Sequence, residues 1–128
     1  MEKYKTQKAY TLHVEHSQWL ENLRFYSDEL RFLRDKLAEV TAKNTSKTVV
    51  KMAEHFQNQF IIQENEIAEL KHFINEHERY IEKNVGHNPA ADHKSMADHM
   101  MERDRMETFE KLFKELKTDF KKFLSRTM

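Results

Sequence analysis

The amino-acid sequence predicts an all-α fold, an antiparallel bundle of three long helices with a coiled-coil-like core. Three features carry that prediction. The 128 residues include one Gly and one Pro, where ordinary usage is about 7% and 5%. Sheets and irregular folds need many turns, and turns draw on those two residues. Only two short breaks interrupt the chain, and between them apolar residues recur at alternating three- and four-residue steps. The length suits a single domain, residues 1–128, with one core of its own.

The first break reads TAKNTS. Asn44 suits a helix end, and Thr45 or Ser46 suits the next N-cap. In the second, NVGHNPA, Gly86 can take the left-handed position after a helix, Asn88 can cap and Pro89 fits a first turn. The predicted helices therefore cover residues 7–42, 46–84 and 89–126. Both connections are short, so neighbouring helices run antiparallel.

Each helix carries a sustained stripe. Helix 1 presents Leu12, His16, Trp19, Leu23, Tyr26, Leu30, Leu33, Leu37 and Val40. Helix 2 presents Val49, Ala53, Phe56, Phe60, Gln63, Ile67, Leu70, Ile74, His77 and Ile81. Helix 3 presents His99, Glu102, Met106, Phe109, Phe113, Leu116, Phe120 and Phe123.

Composition excludes several classes of function. Lys and Arg balance Asp and Glu at 22 each, so no strong field gathers nucleic acid or an anionic membrane. With no cysteine, thiolate nucleophiles and thiolate-ligated metals are out. No apolar run approaches the roughly 20 residues that span a bilayer, and the first residues lack the apolar stretch of a secretory signal. The expectation is a cytoplasmic protein with neither nucleic acid nor membrane as partner. No Gly-rich phosphate loop or nucleophile elbow marks it as an enzyme.

Chemistry concentrates where the stripes turn polar. Reflecting the chain about each break pairs Tyr26 with Gln63 mid-bundle, where a phenol–amide hydrogen bond is expected to satisfy both. The same reflection sets His77 level with position 12 on helix 1 and position 98 on helix 3. His16, His99 and Glu102 then fall within about one turn of it, because helical side chains lean toward their own N-terminus. His13, at i,i+3 from His16, sits at the edge of this layer. Three imidazoles and a carboxylate are good ligands for zinc, iron(II), nickel or copper(II), and bundle interiors host such sites. The bland alternative is a hydrogen-bonded polar layer, wet at an open bundle end, with Glu102 balancing a protonated imidazole.

A weaker candidate is copper(I), held by thioethers of Met96, Met100, Met101 and Met106 beside His93 and His99. Such methionines are more often flexible filler. His55 and His72 fall on outward positions and read as solvated side chains. Phe25, Phe32, Ile61 and Ile62 also fall outward, which predicts an apolar patch and self-association through Phe25, Phe32 and Ile62. Two functional expectations follow. One is a metal-binding bundle using His13, His16, His77, His99 and Glu102, with zinc or iron favoured over copper. The other is an interaction bundle that acts through its exposed apolar face and binds no metal.

Overall fold

The computed structural model describes residues 6–128. It is 93% helical, with α1 at Gln7–Lys43, α2 at Lys47–Asn84 and α3 at Pro89–Thr127. The described residues contain no strand, and none of their helices is long and apolar enough to cross a membrane.

The helix ends follow from local chemistry. Thr6 caps α1 by accepting from the Ala9 amide at 3.0 Å. Asn88 does the same for α3 with Ala91 at 2.7 Å, and Pro89 follows it in the first turn. Gly86 takes φ 93° just beyond α2, a conformation that costs glycine nothing because it has no Cβ. The first turn differs from expectation in detail. Ser46 holds the N-cap position of α2 but its side chain makes no cap bond. Asn44 is extended, not left-handed, and its amide reaches back to the Val40 carbonyl at 2.9 Å.

Helices α1 and α2, and α2 and α3, pack closely as antiparallel neighbours, which leaves α1 and α3 parallel. Their side chains bridge at a steady offset: Glu15 to Arg103, Tyr26 to Glu110 and Glu29 to Lys117. The large core runs from the first turn to Trp19 and is dense in aromatic rings, Phe56, Phe60, Phe109, Phe113, Phe120 and Phe123 among them. A second, separate apolar cluster of Ala9, Leu12, Ile81 and Val85 closes the opposite end. The polar layer lies between the two.

Tyr26 does not pair with Gln63. Its ring packs on Phe109 and Phe113, with centroids 5.4 and 4.9 Å away, and its hydroxyl donates to Glu110 Oε2 at 2.7 Å. The phenol is long enough to cross the core edge and reach a charged acceptor on α3, which makes a stronger bond than a neutral amide. Burial and Glu110 together push that phenol well above its usual pKa. Gln63 Oε1 is left buried with no hydrogen-bond partner.

The outward apolar residues are exposed, Phe25 at 65%, Phe32 at 57% and Ile62 at 53%. They occupy different flanks. Phe25 and Phe32 lie a turn to either side of Glu29, which faces α3. Ile62 instead lines a cleft between α2 and α3 with Leu112.

A buried acceptor without a partner costs about 1–3 kcal/mol, so Gln63→Leu is expected to raise stability by about 1 kcal/mol in urea denaturation. A loss of stability would mean that the amide is satisfied after all.

Candidate metal centre

Four side chains meet inside the bundle. His16 comes from α1, His77 from α2, and His99 and Glu102 from α3, and all are at least nine-tenths buried. Each offers one ligand atom, and these atoms lie within 4.8 Å of one another. The focus is Glu102 Oε1. His16 Nε2 lies 3.1 Å from it and His99 Nδ1 3.7 Å, while His77 Nδ1 makes a short hydrogen bond to it. Three imidazole nitrogens from three helices thus face one carboxylate oxygen.

Apolar groups seal this layer on both sides. Leu12 and Ile81, 4% and 1% exposed, stand between it and the second turn. On the other side Trp19 stacks on His99, with ring centroids 4.8 Å apart at 25°. The open, wet bundle end expected of the bland reading is therefore absent. Ala9 and Val85 complete a plug that encloses the layer instead.

Carboxylates outside the layer orient two of the imidazoles. His16 Nδ1 donates to Glu78 Oε1 at 2.8 Å, which aims Nε2 inward. His99 Nε2 donates to Glu15 Oε1 at 2.6 Å, which leaves the Nδ1 lone pair facing inward. Glu15 is itself gripped by Arg103 through two hydrogen bonds, at 2.8 and 3.1 Å. Metal-ligating histidines characteristically have such an outer partner, because it sets the tautomer and ring orientation.

The charge states follow from these contacts. Burial alone would depress His16, yet hydrogen bonds to Glu102 and Glu78 carry it up to about 9. Burial depresses His99, and its bond to Glu15 does not compensate. Glu102 lies below the ordinary carboxylate range because its bonds to His16 and His77 outweigh burial, which pushes the other way. Glu15 is lowered chiefly by Arg103. Without metal, then, a protonated His16 balances Glu102 while His99 stays neutral. That much of the bland reading does hold.

The proton count still leaves the layer incomplete. His99 Nδ1, His77 Nε2 and Glu102 Oε2 are buried and have no hydrogen-bond partner, although such groups are ordinarily satisfied. Of these, the His99 Nδ1 lone pair faces the centre, and a lone pair turned inward without a donor is what a cation would use. Ligands of a tetrahedral ion at about 2.1 Å lie about 3.4 Å apart. The group therefore needs a contraction of the order of an ångström, within reach of small rotamer changes. In donor set and spacing it can hold a metal ion.

His13 is not among the four. It bonds Glu78 Oε2 at 2.5 Å, so it stands behind His16 at the edge of the site. Glu15, Glu78 and Arg103 were not anticipated, although each is the immediate sequence neighbour of a residue in the layer. Buried Ser95, whose hydroxyl has no partner, was missed as well. The methionines do not gather: Met96 packs on the end plug, Met106 sits in the large core, and Met100 and Met101 are exposed. His55, His72 and His93 are exposed.

Comparison with protein families, with curated proteins and with solved structures returns no match for this chain, so the functional reading rests on its own residues.

The His16 shift sets an expected pH dependence for the metal-free protein. A histidine whose folded pKa is raised contributes stability that is complete below the unfolded value, near 6.5, and is lost as pH rises toward 9. His99, depressed in the fold, acts oppositely: its contribution is present above 6.5 and lost as pH falls. Urea midpoints are therefore expected to be highest close to neutrality. They should decline toward pH 9 by an amount worth at most roughly 3 kcal/mol. A profile flat from pH 6.5 to 9 would contradict this charge assignment.

Proposed function

We propose that this protein is a metal-binding helical bundle that takes one divalent transition-metal ion, zinc or iron(II), through His16, His77, His99 and Glu102. The observation that carries the reading is the convergence of four buried ligand atoms from all three helices within 4.8 Å. Two of its histidines are pre-oriented by outer carboxylates. Imidazole and carboxylate donors without sulfur suit borderline and hard ions, and disfavour copper(I).

Charge supports the same reading. A divalent ion together with Arg103 balances Glu102, Glu78 and Glu15, so His16 need not stay protonated when metal is bound. Enclosure favours a resident ion over a transient one, because the apolar plug and Trp19 keep water from competing for the donors. Bound in this way, metal would tie the three helices to one another. Its role in storage, sensing or redox chemistry depends on which ion is taken.

Binding must displace the His16 proton, so affinity is expected to rise about tenfold per pH unit up to about 9. Protein purified without a histidine tag and incubated with zinc should hold one equivalent by elemental analysis, and its melting temperature should rise. His77→Ala should abolish that rise, and His55→Ala, on the exposed surface, should leave it intact. Sub-stoichiometric zinc with an unchanged melting temperature would end the proposal.

A further inference from the structure

Two cavities, of about 370 and 420 Å³, open between α2 and α3. Arg105 lines both, so they are successive stretches of one groove. It extends from Ile62 to Tyr80 on α2 and from Leu112 back to Lys94 on α3. At 1.5 Å per residue that is about 27 Å. Two apolar spots lie along it. Ile62 and Leu112, 53% and 46% exposed, share one cavity, and Phe73 and Met101, 49% and 66% exposed, share the other. On either helix the spots are three turns apart, about 16 Å. Four large apolar side chains left in water along one groove mark an interaction surface.

The charges between the two spots do not cancel. Arg105 bonds Glu66 at 2.8 Å, and Glu69 lies 3.4 Å from the same nitrogen. One cation thus answers two carboxylates on α2, and Asp104 on the α3 side of the groove adds a third. Toward the far end Lys94 and Asp98 neutralise each other at 2.6 Å, and Arg79 meets Glu76 at 2.7 Å. The excess charge is therefore negative and sits between the apolar spots.

We infer that this groove receives an amphipathic α-helix of another protein, apolar at i and i+11 and carrying a lysine or arginine at i+7. The apolar pair packs on the Ile62/Leu112 and Phe73/Met101 spots, and the basic side chain enters between Glu69 and Asp104. All three positions share one helix face, because seven and eleven residues are close to whole turns. The unbranched Met101 thioether adapts to whatever apolar side chain arrives. A second copy of this chain does not fit. Val14 with Phe25 and Val50 with Ile61 are exposed at the same spacing, but Glu21 and Glu54 stand between them and would meet carboxylates. On α3, Arg105 stands between Met101 and Leu112, yet its own chain already holds it, and both apolar residues are groove wall.

The probe is an alanine-rich helical peptide with leucine at i and i+11 and arginine at i+7. It is titrated into metal-free, nitrogen-15-labelled protein and followed by NMR, so the outcome does not depend on the metal. Saturable shifts should be confined to α2 and α3 around Ile62, Phe73, Met101 and Leu112. Glutamate in place of the peptide arginine should weaken binding about tenfold. Asp104→Lys with Glu69→Lys should reverse that preference. Phe73→Ala, at an exposed position, should weaken both peptides, and Phe25→Ala, outside the groove, should weaken neither. Circular dichroism confirms that the variants are folded. Failure to saturate, binding that ignores the peptide charge, or shifts spread beyond the groove would overturn the proposal. So would a free protein that sediments as a dimer with these residues protected, since a second copy would then hold the groove.

Discussion

Glu102 Oε1 sits where three imidazole nitrogens from three helices face one another, inside a layer closed by apolar groups on both sides. A carboxylate in such a place is costly unless its charge is met. Much of the surrounding arrangement answers that demand. His16 stays protonated against it, Glu78 supports His16 from behind, and the Glu15–Arg103 pair holds His99. Remove the carboxylate and three buried imidazoles would face one another with no counter-charge. The same four groups could hold a divalent ion. In the proposed metal-bound form, a divalent ion would take the place of the His16 proton opposite Glu102.

The long helices make that placement possible. A bundle with two short turns has few adjustable joints, so the level of each polar residue is set by its distance from a break. This is why the helix ends and the layer of His16, His77, His99 and Glu102 were legible in the sequence. Gly86, Asn88 and Pro89 state their positions by their chemistry, and interruptions of an apolar stripe state theirs by contrast. Directions around a helix are harder to read. Tyr26 and Gln63 stand at matching levels, yet the phenol turns to α3 and the amide goes without a partner. The outer carboxylates were hidden for a related reason. Heptads do not say on which side of the first hairpin α3 lies, and that choice decides whether Glu15 meets α3 or α2.

The seal was illegible for a different reason. Ala9 and Val85 fall beyond the ends of the stripes as read from the sequence, and they join Leu12 and Ile81 only when the second turn folds over them. Small in number, these residues change the chemistry. An open layer would fill with water and make the histidines ordinary, whereas an enclosed one leaves three polar atoms without partners and strengthens every charge in it. On the α2–α3 side a cavity lies beside His77 and Glu102, but the unpartnered atoms of both residues are closed to it.

The metal proposed for this bundle sits among His16, His77, His99 and Glu102. X-ray absorption at the zinc edge of the loaded protein tests this placement most directly. Four nitrogen or oxygen neighbours at about 2.0–2.1 Å are expected, with the outer-shell scattering of three imidazoles. A shell of six oxygens, or one with a single imidazole, would place the ion on the surface and contradict it.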